Sequence, residues 1–143
     1  MRENTVRTTR MLLAALFTVL GLVLPVGAVS AEALPTAARP LAAACGDTSG
    51  FDRVALSDLP PEATDTVRLI RQGGPYPYPE DGGTFHNWEG ILPDCPDGYY
   101  REYTVETPGL DHRGARRFVV GEAGEYFYTA DHYESFRLTD IHS

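Results

Sequence analysis

The stretch "LPPEATDTVRLIRQGG", residues 59–74, carries a helical period from start to stop. Ala63, Val67 and Ile70 fall at i, i+4 and i+7, on one face of a helix, with Glu62, Asp65 and Arg68 on a charged back. Proline suits the first helical turn, where its missing N–H costs nothing, and Ser57 or Asp58 can cap the start. Gly73 and Gly74 end it. A helix with a single apolar stripe must pack against something, and the rest of the chain has to supply that surface.

Downstream, "GGPYPYPEDGG", residues 73–83, is too broken by proline and glycine for regular structure. Short segments of strand composition follow at 84–87, 99–105, 116–120, 126–129 and 135–138, separated by turn signals. A helix followed by short strands predicts an α+β domain, one N-terminal α-helix packed on a twisted antiparallel β-sheet of about five strands.

Upstream, Arg2, Arg7 and Arg10 precede an apolar run over 11–29, and Ala28-Val29-Ser30 offers a small-x-small cleavage site. This pattern predicts a signal peptide over 1–30, an exported protein and no membrane attachment after cleavage. Residues 31–44, "AEALPTAARPLAAA", read as a flexible leader, and 45–143 as the folded domain. One domain of about a hundred residues has enough core to fold alone, and is expected as a monomer.

Cys45 and Cys95 are the only cysteines. In an exported chain an isolated pair is most simply a disulfide. Small residues before Cys45 resemble a lipid-attachment setting, but it stands too far beyond the apolar run, and Cys95 would lose its partner.

The formal net charge is −8, and every basic residue is an arginine. Without residues 1–30, the balance is 9 arginines against 19 acids. Such a field repels polyanions, which excludes general nucleic-acid binding and leaves phosphate chemistry to a local cluster. Arg101, Arg113, Arg116 and Arg117 form one, against Glu102, Glu106 and Asp111. Strand alternation puts Tyr100, Glu102 and Thr104 on one face. If 99–105 and 116–120 are neighbours, Arg117 meets Glu102 there and Arg113 reaches in from the loop. A carboxylate among guanidiniums is favoured as its anion, which suits a general base acting on a bound phosphate. A cross-strand salt bridge on a solvated face explains the same residues.

His132 can donate a proton near neutral pH, or can be an ordinary loop histidine. His112 and His142 read as surface residues. In "TFHNWEG", residues 84–90, Glu89 could accept from the N1–H and N2–H of guanine, with backbone amides on O6 and Phe85 or Tyr133 on the ring. A strand end turning into a loop is an equal alternative. No zinc-ligand spacing, nucleophile elbow or phosphate loop occurs, so no metal or cofactor is expected.

Taken in order, "LSDLPPEATDTVRLI", "GPYPYPEDG", "TFHNWEGILP", "GYYREYTVETPG", "RGARR" and "DHYESF" resemble the small secreted bacterial guanyl-specific ribonucleases, within the microbial ribonuclease family that includes barnase. The resemblance spans residues 54–138. It implies Glu102 as general base, His132 as general acid and Arg113 and Arg117 as the grip on the scissile phosphate. Residues 85–89 would form the guanine site: Phe85, backbone amides near His86, Asn87 and Trp88, and the Glu89 carboxylate. Tyr78 and Tyr133 would line the cleft. The implied substrate is single-stranded RNA and not DNA, since the ribose 2′-OH is the nucleophile. A barstar-like inhibitor is a possible partner. Trp88 stands where relatives carry arginine, and His86 where glutamine is usual. Trp88 and the strong acidity leave a catalytically silent guanine-nucleotide or RNA-binding module as the alternative.

Overall fold

The structure is a computed structural model that describes residues 42–143. The expected signal peptide and all but the last three residues of the expected leader lie outside the described residues. Those last residues join the domain: Asp94 N–H donates to Ala43 O at 2.8 Å, and Ala44 forms a parallel bridge with Asp94.

The helix, α1, spans Pro61–Gln72. Its N-cap is Pro60, with no side-chain capping bond, so neither Ser57 nor Asp58 plays the expected role. They lie instead in a 3₁₀ turn over Leu56–Asp58. The C-terminus closes as expected: Gly73 adopts φ 75°, its N–H bonds Ile70 O, and Gly74 N–H bonds Leu69 O. This paired closure satisfies carbonyls that the last turn leaves open, and needs the left-handed conformation glycine adopts without strain.

Six strands form one sheet: β1 (Arg53–Ala55), β2 (Gly83–Thr84), β3 (Tyr100–Thr104), β4 (Arg117–Gly121), β5 (Tyr126–Thr129) and β6 (Arg137–Asp140). Their spatial order is β1-β6-β5-β4-β3-β2. The expected α+β class holds, with two corrections. The sheet has a sixth strand, β1, and it pairs parallel to β6, so the sheet is mixed. Three residues, "RVA", are too short to show a period, and their partner lies at the far end of the domain. In the segment expected as a strand over 84–87, Thr84 pairs with Arg101 and Phe85 N–H still bonds Tyr100 O at 2.9 Å, beyond which the chain turns at Asn87, φ 51°.

Side-chain alternation divides the sheet cleanly. On one face Phe118, Tyr126 and Tyr128 are buried with Ala63 and Val67 of the helix, and Ile70 packs partly buried beside them. The other face carries a second cluster of Leu92, Tyr100, Val119, Phe127, Phe136 and Leu138. Phe118 and Phe127 have no exposed surface, and each fully buried phenylalanine contributes about 1.5–3 kcal/mol. Thr66 Oγ1 ties helix to sheet by donating to Thr104 O at 3.1 Å. The Cys45–Cys95 disulfide joins the domain start to the loop before β3 with a sequence separation of 50. A loop of that length is stabilised by about 4 kcal/mol in the chain-entropy view.

Candidate active site

Because the helix covers one face of β3 and β4, whatever polar chemistry these strands carry must stand on the other. In the antiparallel register Glu102 faces Val119 and Thr104 faces Arg117, so Glu102 and Arg117 sit diagonally on the face opposite the helix. Arg113 reaches Glu102 from the preceding turn, Nη2 to Oε1 at 3.8 Å. The solvated-face alternative does not describe this place. The Glu102 and Arg113 side chains are only 20% and 22% exposed, and Arg117 is buried.

Each guanidinium is anchored by hydrogen bonds to its surroundings. Arg117 Nη1 donates to the carbonyls of Arg113, Gly114 and Arg116 at 3.4, 3.0 and 2.8 Å, locking the turn into β4. Arg113 Nε donates to Thr104 Oγ1 at 2.9 Å, and its guanidinium lies 5.9 Å from the centre of the Tyr78 ring. Buried Arg113 Nη2 and Arg117 Nε find no hydrogen-bond acceptor among the described residues. Buried donors are almost always satisfied, so these two suit a further acceptor, although Arg113 Nη2 already lies 3.5 Å from Asp81 and 3.8 Å from Glu102.

Tyr133 OH donates to Glu102 Oε2. Burial first, then this hydrogen bond and the Glu102 charge, push the Tyr133 phenol up to about 12, so it stays a donor throughout the physiological range. Tyr133 and His132 both adopt left-handed backbone, φ 76° and 57°. Conformations of this kind in residues other than glycine cost about 1–3 kcal/mol and gather at functional sites. What holds the turn is Thr129 Oγ1, which accepts Tyr133 N–H at 3.0 Å, and Ala115 O, which accepts His132 N–H at 3.2 Å. The His132 ring is exposed and lies 4.8 Å from the Tyr133 ring.

A cleft of about 450 Å³ runs from these groups to the loop after β2, lined by Thr84, Phe85, His86, Asn87, Trp88, Glu89, Glu102, His132 and Tyr133. Phe85 packs on Tyr133 with ring centres 5.0 Å apart. The Asn87 side chain shapes the loop, donating to Leu92 O at 2.9 Å and accepting Leu92 N–H at 3.1 Å. The backbone N–H groups of residues 86–89 have no acceptor among the described residues, and the Glu89 carboxylate is exposed and unpaired there. Donors and an acceptor thus face one aromatic-walled space, which suits a planar base with a carbonyl beside N–H groups.

A family profile described as ribonuclease matches residues 42–140. The chain belongs to the ribonuclease family. It is 75% identical over 99 residues to guanyl-specific ribonuclease St of Saccharopolyspora erythraea, covering 69% of this chain and 98% of that protein. Identity to guanyl-specific ribonuclease Sa of Kitasatospora aureofaciens is 56% over 95 residues, 66% of this chain and 97% of that one. The crystal structure of ribonuclease Sa2 with guanosine-2′-cyclophosphate superposes with TM-score 0.62 at 45% identity, covering 65% of this chain and 99% of that chain.

Of the site residues named from the sequence of this ribonuclease, Phe85, His86, Asn87, Trp88, Glu89, Glu102, His132 and Tyr133 line the cleft, and Arg113 and Arg117 stand beside Glu102. Tyr78 reaches the cleft only through Arg113. Sequence reasoning missed Asp81 and Thr129. The Asp81 side chain is 2% exposed, accepts Thr104 N–H and Oγ1–H at 2.7 Å each, and lies 3.5 Å from Arg113 Nη2. "PYPEDGG" shows only a turn, and nothing local marks its aspartate as buried. Thr129 looks like any strand threonine until the left-handed turn after it is seen.

Proposed function

We propose that this ribonuclease is a guanyl-specific endoribonuclease, cleaving single-stranded RNA on the 3′ side of guanosine through a 2′,3′-cyclic phosphate that water then opens. The observation that carries the reading is the convergence of Glu102, the Arg113 and Arg117 guanidiniums and His132 beside a loop of free amides and a free carboxylate. The guanosine-2′-cyclophosphate held by ribonuclease Sa2 is the chemical species this reading requires.

Glu102 takes the proton from the ribose 2′-OH, and the freed oxygen attacks the adjacent phosphorus. Tyr133 holds Oε2 of that carboxylate by hydrogen bond, so the base is aimed before substrate arrives. Arg113 Nη2 and Arg117 Nε meet the phosphoryl oxygens, where charge builds in the transition state. His132, protonated, donates to the departing 5′-oxygen. In the second step water enters as that oxygen left, with the two roles exchanged. Glu89 accepts the guanine N1–H and N2–H, backbone amides at His86, Asn87 and Trp88 reach O6, and Phe85 or Tyr133 covers the ring. DNA lacks the nucleophile and is not cut.

Two features of its setting belong to the same proposal. The N-terminal pattern sends the enzyme out of the cell, where it acts as a monomer. A barstar-like inhibitor would dock on the arginine cluster, a local basic feature of an acidic domain.

Residues 31–143 should be tested on GpC, ApC, UpC and CpC, following cyclic-phosphate release with and without chelator. Cleavage of GpC alone, unaffected by chelator, is expected. Folded protein that cleaves none of the four overturns the reading in favour of a silent binding module.

A further inference from the structure

Trp88 is the only tryptophan, and it is 85% exposed. It is not loose. Its ring lies parallel to that of His86, centres 5.0 Å apart and planes 6° from each other. His86 is held in turn, Nδ1 2.6 Å from Asp97 Oδ1. Asn87 between them is clamped to Leu92. The indole is therefore fixed from beneath, through a histidine, an aspartate and the loop backbone, while its outer surface stays open to solvent.

The guanine reading gives this arrangement nothing to do, because the pocket already has its own aromatic wall in Phe85 and Tyr133. Nor does the loop itself carry a cation to grip a phosphate. Between Arg71 and Arg101 the sequence holds no arginine or lysine, and Glu89 and Asp97 stand on either side. What remains is the π face. Base–aromatic stacking accepts any base and needs no cation, and a ring held in place beforehand loses little freedom on binding.

Resting on the guanyl-specific reading, we propose that the Trp88–His86 stack, anchored by Asp97, is a second base-stacking platform that takes a nucleotide flanking the guanosine. RNA would then be bound by two bases: guanine in the cleft, and a neighbour of any identity on the outer face of Trp88. The enzyme would be specific at one position and tolerant at the next.

The test compares how far an added flanking nucleotide raises kcat/KM over GpC, using UpGpC for the 5′ side and GpCpU for the 3′ side. In the wild type one of the two should raise it. Trp88→Ala should cut that increment about tenfold, and Trp88→Phe should keep most of it. Because increments are compared, any effect of the substitution on GpC itself cancels. The side that responds locates the neighbour. An increment unchanged in Trp88→Ala on both sides overturns the platform, even where GpC is cleaved as proposed.

If GpC is not cleaved at all, the function reading has failed and the platform is judged by fluorescence. Trp88 emission should be quenched by UdGC, which lacks the attacking 2′-OH, and His86→Ala should weaken binding of that oligonucleotide. Equal affinity of wild type and His86→Ala for UdGC would sink it. Should Trp88 instead be a contact for a partner protein, neither increments nor quenching will respond, which counts against the proposal equally.

Discussion

At the proposed phosphate end of the cleft, Glu102, Arg113 and Arg117 stand on β3 and β4 or the turn before β4 and are largely buried, while His132 stands exposed on the turn after β5. Glu102 is bonded by Tyr133, Arg117 is held by three carbonyls, and Arg113 by Thr104 with Asp81 behind it. At the base end the functional groups stand on an exposed loop whose shape depends on one asparagine side chain. The difference follows the work each end does. Charge that develops on a phosphoryl group must be met by dipoles already in position and screened from water. A guanine edge has a fixed pattern of donors and an acceptor, and a backbone loop reads it without a rigid floor. On the proposed function, chemistry is carried by the sheet and its turns, and recognition by the loop.

Breaking the phosphate end should do the most damage. Glu102→Gln and His132→Ala are each expected to lower kcat for GpC by about 10²–10⁴, with the circular-dichroism melting curve little changed. Near-full activity in either variant would remove that group from the mechanism. At the base end, Glu89→Gln should lower the preference for GpC over ApC by about 10–100-fold, the worth of charge-assisted hydrogen bonds to N1–H and N2–H. Cleavage of ApC should hardly move; an equal loss on both dinucleotides would mean that Glu89 does not read the base.

Asn87→Ala sharpens the comparison by loosening the loop without touching the sheet. It removes both bonds to Leu92 and leaves alanine at φ 51°, for a stability loss of about 1–3 kcal/mol in urea unfolding. KM for GpC should rise more than kcat falls; the opposite pattern would place the loop in the chemical step.

The smallest effect expected is one of pH. In the folded protein the Tyr133 phenol lies at about 12 rather than its ordinary 10.0, because burial and then Glu102 disfavour the phenolate. The native state therefore keeps a proton that the unfolded chain gives up. The stabilisation is fully present below pH 10 and is lost as pH rises towards 12. Burial also raises Tyr100, Tyr103, Tyr126 and Tyr128, so Tyr133→Phe should reduce this alkaline loss of stability without abolishing it. An unaltered alkaline melting profile in Tyr133→Phe would show that folding does not disfavour the Tyr133 phenolate.

What the sequence determined by itself was whatever repeats over a few residues. The i, i+4, i+7 stripe set α1 and its buried face, the paired glycines set its end, and alternation placed Glu102 and Arg117 on one surface. The order of the motifs was enough for the family. Only the tertiary structure decided the rest. The parallel pairing of β1 with β6 brings together segments some 80 residues apart, and three residues carry no period to announce it. The burial of Asp81 behind Arg113, the left-handed turn that presents His132, and the stacking of Trp88 on His86 likewise depend on neighbours no local pattern names. Periodicity reports which way a side chain points; what it meets there is settled by chain closure and packing, which act across the whole domain.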